Sequence, residues 1–186
     1  MDQTGSVPAR PALGPFARMN VNNLAFAALG ANLGDARANV LEAMDRLRSL
    51  STQPLLKSSL WQTEPVDCPP GSPPFVNAVA GLTPIPGETP ESLLKKLQAI
   101  EKEFGRQRKK VLNESRPLDL DLIAFGQERR DTKELVLPHP RAHLRRFVLA
   151  PLSEIAPDLV LPGQTRTVAQ LLTQLPADNA GEVRRM

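Results

Sequence analysis

The chain has 186 residues, with 23 Lys+Arg against 20 Asp+Glu and a formal charge of +3. At about 150 residues per domain the length predicts one domain with an extra arm, and 41% hydrophobic with 23% charged residues excludes a wholly disordered chain. No apolar run approaches the roughly 20 residues that span a bilayer, and the lone Cys68 cannot form an intramolecular disulfide, so the expected compartment is reducing, the cytoplasm.

Residues 1–20 carry Pro8, Pro11 and Pro15 without a hydrophobic period, and no apolar h-region follows their charges. They are expected to be a flexible extension rather than a secretory signal. Leu24 to Leu29 is a short apolar run closed by Gly30, which predicts a buried strand. Gly30-Ala31-Asn32-Leu33-Gly34-Asp35 predicts a turn with Asp35 as helix N-cap. Val40, Leu41, Met44, Leu47 and Leu50 recur at helical spacing, predicting an amphipathic helix over 36–50. Residues 57–63 have strand composition, and the prolines of 65–74 predict a stiff loop. Residues 75–82 predict the next strand. Thr89 before Pro90 then opens a helix whose face is Leu93, Leu94, Leu97, Ile100 and Phe104. Leu118 to Phe125 alternates as a strand, and 135–137 is a short one. Phe147-Val148-Leu149 and 152–155 are apolar with no element assigned, a helix follows near 168–175, and 176–186 reads as a frayed tail. The order β-α-β-β-α-β plus C-terminal additions predicts an α+β, ferredoxin-like split βαβ sandwich. It would be a single domain over 21–175 without a second core. Two helices would cover one sheet face, leaving the other to loops or a ligand.

The sharpest chemical feature is Arg116-Pro117-Leu118-Asp119-Leu120-Asp121-Leu122-Ile123. Residues i and i+2 of a strand point the same way, so Asp119 and Asp121 share one face while Leu118, Leu120 and Leu122 enter the core. Two carboxylates about 7 Å apart repel unless a cation lies between them. Oxygen-only ligands suit Mg²⁺, which draws its remaining ligands from water and phosphate. A solvated acidic strand face is the alternative. Arg106, Arg108, Lys109, Lys110 and Arg116 precede this strand, and His139, Arg141, His143, Arg145 and Arg146 follow it. Converging acids and arginines suit a nucleoside triphosphate, although a solvated basic surface has the same composition. No GxxxxGK[ST] loop, CxxC pair or GxSxG elbow occurs in the sequence. Phe75 and Asn77, near Thr63-Glu64-Pro65-Val66, would share a strand face that suits a flat heterocycle, the ring stacking and the amide reading its edge. A core Phe and a turn-capping Asn would look the same.

These segments resemble one family. Gly30 to Asp35, Thr63-Glu64-Pro65, Phe75-Val76-Asn77-Ala78-Val79, Ile100-Glu101, Gly105-Arg106 and above all Arg116 to Ile123 are similar to the 6-hydroxymethyl-7,8-dihydropterin pyrophosphokinases of folate biosynthesis. Pro138-His139-Pro140-Arg141, Arg145 with Phe147, and Pro151 to Pro157 extend the likeness over about residues 23–165. The resemblance implies a ferredoxin-like, ATP-dependent diphosphotransferase that moves the β,γ-pyrophosphoryl group of ATP to the pterin hydroxymethyl oxygen and releases AMP. It implies that Asp119 and Asp121 ligate two Mg²⁺ ions. Thr63, Glu64, Val66, Phe75, Asn77 and Phe147 would bind the pterin, with Phe75 and Phe147 sandwiching its ring. Gln98, Glu101, Arg108, Arg116, Leu122, His139 and Arg145 would line the ATP site. Arg106 and Arg116 would act on the phosphates from a mobile loop between Gly105 and Arg116. In that loop Asn113 stands where some members carry Trp, and Glu114-Ser115 where the motif commonly has Gly-Pro or Gly-Ala. The expected partners are the two substrates, with no nucleic acid, no membrane and a monomeric chain. A ferredoxin-like RNA-binding module and a two-metal nuclease are the competing readings.

Overall fold

The computed structural model describes residues 20–65, 68–105, 115–176 and 183–186. The expected extension therefore lies, apart from Asn20, outside the described residues, as does the expected mobile loop between Gly105 and Arg116, apart from Ser115.

Strand β1 (Ala25–Ala31) is buried along most of its length, as its alanine-rich run requires of a central strand. Helix α1 (Ala36–Arg46) starts where Asp35 accepts the Ala38 N–H at 2.9 Å. It stops short of the expected residue 50, because Leu47–Leu50 tightens into a 3-10 turn, a common way to satisfy the last carbonyls of a helix. The strand expected over 57–63 is two pieces, β2 (Leu56–Lys57) and β3 (Trp61–Thr63). Ser58 interrupts them: its N–H donates to Val79 O at 3.0 Å, while its hydroxyl accepts the Val79 N–H at 2.9 Å in place of a backbone carbonyl. Strand β4 (Phe75–Leu82) matches its expected bounds. Helix α2 (Pro90–Glu103) begins at a reciprocal cap in which Thr89 and Ser92 each bind the other's N–H, at 3.1 and 2.9 Å. Strand β5 (Asp119–Phe125) follows. Strands β6 (Arg130–Asp131) and β7 (Val136–Leu137) form a hairpin whose first arm the sequence did not reveal. Helices α3 (Arg146–Ile155) and α4 (Val168–Gln174) and strand β8 (Val183–Arg185) complete the order.

The main sheet runs β5-β1-β4-β3-β8, with β2 also on β4, and every pair is antiparallel. The protein is thus mixed α/β on an antiparallel sheet. Val40, Met44 and Leu47 around α1 and Leu93, Leu97 and Ile100 of α2 bury one face against Ala27, Leu29, Leu118, Leu120 and Leu122. The expectation that the opposite sheet face is left to loops or a ligand, without a second core, is corrected over part of that face. Phe26, Val79 and Ile123 form a second buried cluster with Val148, Leu149 and Leu152 of α3 and Val168 and Leu171 of α4. Pro151 hid α3 in the sequence. A helical proline costs about 3 kcal/mol, but burying each Val or Leu side chain returns roughly 1.5–3 kcal/mol, and α3 buries three of them with Ala150 and Pro151. The frayed tail is likewise corrected over 183–185, because β8 pairs with the free edge of β3. Arg185 also reaches Glu154 of α3 at 3.1 Å. No helix among the described residues is long and apolar enough to cross a membrane.

Candidate active site

Register places the expected residues in cross-strand rows. Asp119 on β5 lies opposite Gly30 on β1, Gly30 opposite Asn77 on β4, and Asn77 opposite Trp61 on β3. The neighbouring row is Asp121, Ala28 and Val79. Alternation sends these residues and Phe75 to the face that α3 covers farther along, over Phe26 and Val79. At this end Gly30 and Ala28 stay half-exposed, so the sheet offers a floor there. Gly30 is needed for its size: a Cβ at this position would sit 3.1 Å from Asn77 Oδ1.

Asn77 is 6% exposed, and its Nδ2 donates to Thr63 Oγ1 at 2.8 Å. This buried bond fixes which way the carboxamide points and makes Thr63 its holder; Thr63 is also the register partner of Phe75. Phe75 is half-buried, and the Arg116 guanidinium lies 5.9 Å from its ring centroid, within cation–π range. Arg116 Nη1 binds Asp119 Oδ2 at 2.6 Å, while its Nε is buried with no hydrogen-bond partner among the described residues. That unmatched donor between an aromatic ring and a carboxylate is the kind of group an anionic oxygen satisfies.

The downstream basic group converges on the same acids. His139 donates its N–H to Ile123 O at 2.8 Å, and Arg141 N–H meets His139 Nδ1 at 3.2 Å. Burial holds the His139 pKa below the ordinary histidine value; Arg145 and Arg141 add to that effect and Asp121 opposes it. Burial and then Arg141 lower the Arg145 pKa, with Asp121 and Asp119 pulling the other way. The Arg145 guanidinium stands 5.4 Å from the Phe147 ring centroid at the start of α3. Asp119, Asp121, Arg116, Arg141, Arg145 and His139 therefore form one electrostatic cluster, flanked by two half-buried phenylalanines.

Other expected residues are placed differently. Glu101 is 6% exposed on α2, and its Oε1 accepts the Leu120 N–H at 2.7 Å. It thereby satisfies an outward amide of edge strand β5 between the two aspartates. Leu122 is buried in the cluster under α1 and α2, so its side chain faces away from the aspartates. Gln98 lies exposed on α2 one turn before Glu101. Glu64 is exposed beside Thr63. Val66, Arg106 and Arg108 lie outside the described residues. The sequence reading missed Gly30 as a floor residue and Asn32 as a buried polar one. Both sit in a segment that reads as a turn and as part of the family likeness, with no role given to either residue.

Among the described residues no group of three His, Cys, Asp or Glu is arranged to hold a metal ion. Asp119 and Asp121 alone fit Mg²⁺, which is commonly held by one or two carboxylates while substrate phosphate and water complete its octahedron. The apolar cluster under α3 and α4 weakens the RNA-binding alternative, since these helices cover much of the sheet face on which bases would stack.

Comparison with known proteins agrees with this chemistry. The family 7,8-dihydro-6-hydroxymethylpterin-pyrophosphokinase (HPPK) matches residues 26–157. A Pseudomonas aeruginosa protein named 2-amino-4-hydroxy-6-hydroxymethyldihydropteridine pyrophosphokinase is 40% identical over 152 residues, covering 81% of this chain and 91% of its own length. The Haemophilus influenzae protein of the same name is 39% identical over 155 residues, covering 81% and 89%. Among solved structures, wild-type Plasmodium falciparum HPPK-DHPS with pterin and p-hydroxybenzoate matches with TM-score 0.59 at 13% identity. That match covers 82% of this chain and 43% of the longer one, and it speaks to fold.

Proposed function

The chain belongs to the 7,8-dihydro-6-hydroxymethylpterin-pyrophosphokinase family, and from that premise we infer which of its own residues carry the reaction. The protein is an ATP-dependent pyrophosphokinase of folate biosynthesis: it transfers pyrophosphate from ATP to hydroxymethyldihydropterin. The pterin hydroxymethyl oxygen bonds to the β-phosphorus and gives up its proton to solvent, the bond between that phosphorus and the α,β-bridging oxygen breaks, and AMP leaves with the electron pair.

The observation that carries the assignment of residues is the convergence of Asp119, Asp121, Arg116 and Arg145 beside Phe75, Asn77 and Phe147 at one end of the sheet. The pterin would lie over the Gly30 floor between Phe75 and Phe147, its polar edge on the Asn77 carboxamide, with Thr63, Glu64 and Val66 alongside. Arg116 and Arg145 would pair with triphosphate oxygens. The buried Arg116 Nε supports this, having no partner among the described residues. His139 would line the ATP side, neutral at pH 7 because burial lowers its pKa, so its ring can approach phosphate without adding charge. Arg106 and Arg108 remain assigned to the phosphates by family likeness alone, as does Gln98 to ATP. Glu101 is likewise assigned to the ATP side by family likeness, and its Oε1 also holds the Leu120 amide.

Enzymes of this family use ATP with Mg²⁺; we assign two ions, held by Asp119 and Asp121. When bound they neutralise phosphate charge and lower the cost of the developing alkoxide. The chain's own contribution is position and charge. The aromatic walls and Asn77 fix the hydroxymethyl group, and the arginines offset the roughly four negative charges of ATP that would repel the incoming oxygen. No side chain is assigned as general base.

The strand order and antiparallel pairing support the ferredoxin-like βαββαβ reading, with β6, β7, α3, α4 and β8 as additions. We assign a monomeric chain, and a folate-pathway enzyme with one cysteine fits the cytoplasm. The test is AMP release from ATP, Mg²⁺ and 6-hydroxymethyl-7,8-dihydropterin. Release should require all three, and nucleic-acid cleavage without ATP would favour the nuclease reading instead.

A further inference from the structure

Asn32 is 3% exposed and lies just past β1, outside both groups of residues assigned above. Its carboxamide is fully engaged. Oδ1 accepts the Arg116 backbone N–H at 2.8 Å, and Nδ2 donates to Ser115 Oγ at 3.0 Å and to Pro73 O at 3.2 Å. The backbone amides of Asn32 and Leu33 then donate to the Arg116 carbonyl at 3.1 and 3.2 Å. Both backbone polar groups of Arg116 are thus held by one turn. A second amide, Asn39 Nδ2 on α1, holds the next carbonyl, Pro117 O, at 3.0 Å. Pro73 lies two residues before Phe75, on the segment that delivers the pterin wall. One buried carboxamide therefore joins the residue that meets the phosphates to the segment that carries the stacking ring. Between them the Arg116 guanidinium faces Phe75 on one side and Asp119 on the other.

We propose that Asn32 is a positioning residue for pyrophosphoryl transfer: through these three hydrogen bonds it sets Arg116 and the Pro73–Phe75 wall in one geometry, so that phosphate and pterin meet in register. The proposal rests on the reading of Arg116 as a phosphate ligand. A carboxamide suits the task because it offers an acceptor and two donors in one plane, matching one amide and two oxygens; no other side chain of that size does so. A misplacement of about 1 Å at such a site can cost on the order of 10²-fold in rate.

A double-mutant cycle on the full chain separates positioning from simple stability. AMP release is measured for wild type, Asn32→Ala, Arg116→Ala and the double variant, with thermal unfolding on the same samples. Asn32→Ala is expected to lower kcat by about 10- to 100-fold and to add less than about threefold in the Arg116→Ala background, because residues acting as a unit are non-additive. Equal factors in both backgrounds would overturn the proposal and leave Asn32 a structural residue. An Arg116→Ala enzyme with full activity would remove the reading beneath it, and the proposal with it. If Asn32→Ala does not fold at the assay temperature, Asn32→Asp replaces it in the same cycle. That change keeps the shape of the side chain and the acceptor for the Arg116 amide, and loses the donors to Pro73 and Ser115. It is expected to raise the pterin KM at least about fivefold with the ATP KM within about twofold, since the Arg116 amide keeps its acceptor while the Pro73 carbonyl before the pterin wall loses its donor. Unchanged constants for both substrates would refute the link to the pterin wall.

Discussion

Replacing Gly30 by Ala tests the floor of the site with one methyl group. The backbone there is not left-handed, so alanine is conformationally acceptable; only space is at issue. The added Cβ would lie 3.1 Å from Asn77 Oδ1, where contacts become ordinary at about 3.4 Å. Asn77 must therefore yield by roughly 0.3 Å, the difference of those two distances. It cannot move straight away from β1, because its Nδ2 is already 2.8 Å from Thr63 Oγ1 on the next strand. The amide must tilt, which weakens one buried hydrogen bond by about 0.5–1.5 kcal/mol. Reduced entropy of the unfolded chain returns about 0.4–1 kcal/mol, so net stability should change by less than about 1 kcal/mol. Recognition does not share that compensation. The pterin KM should rise about 3- to 10-fold, the equivalent of the lost hydrogen-bond energy, while the ATP KM stays within about twofold. Steady-state AMP release with each substrate varied in turn measures both, and thermal unfolding measures the stability. A wild-type pterin KM in a stable Gly30→Ala protein would refute the placement of pterin over this floor.

Asp119→Asn and Asp121→Asn should each lower turnover by about 10²–10³, read as AMP release. Asp119→Asn should also cost up to about 1 kcal/mol of stability, because it breaks the Arg116 pair. Metal-free protein should lose stability as pH falls below about 6.5. There the unfolded chain takes up a proton that buried His139 resists, so the unfolded state binds more protons until the lowered folded pKa is reached. His139→Gln should flatten that part of the profile in melting curves recorded with EDTA; an unchanged slope would count against it. Ending the chain after residue 176 removes the β8 pairing with Trp61–Thr63 and the Arg185–Glu154 pair. It should raise the pterin KM severalfold through Thr63 while leaving the ATP KM near wild type.

Legibility in the sequence followed the range of the forces involved. Alternation along 118–125 announced β5 and put Asp119 and Asp121 on one face, and Thr89-Pro90 announced the start of α2, because both signals are local. Phe75 and Asn77 could be paired for the same reason. Gly30 could not be read as a floor, since that requires the register that sets it between Asp119 and Asn77. Asn32 looked like an ordinary turn residue because its partners Pro73, Ser115 and Arg116 lie 41, 83 and 84 positions away. Helix α3 was hidden by Pro151, whose local penalty is outweighed by burial against a sheet assembled from distant strands. That the buried carboxylate of Glu101 accepts an amide of edge strand β5 was equally illegible, since it depends on how α2 packs on that strand.

Strand β8 has a consequence for how copies of this protein treat one another. Without it β3 would end the sheet in a row of unsatisfied amides and carbonyls, the template on which strands of neighbouring molecules add. Three residues, Val183 to Arg185, occupy that row, and two of them are arginines tied down by Gln62, Ser59 and Glu154. A molecule arriving edge-on meets a short strand bearing like charge, the arrangement that discourages lateral growth. The same few residues that steady Thr63 should therefore favour dispersed molecules at high concentration, and their proteolytic loss should appear as concentration-dependent light scattering while the helices and the remaining strands persist.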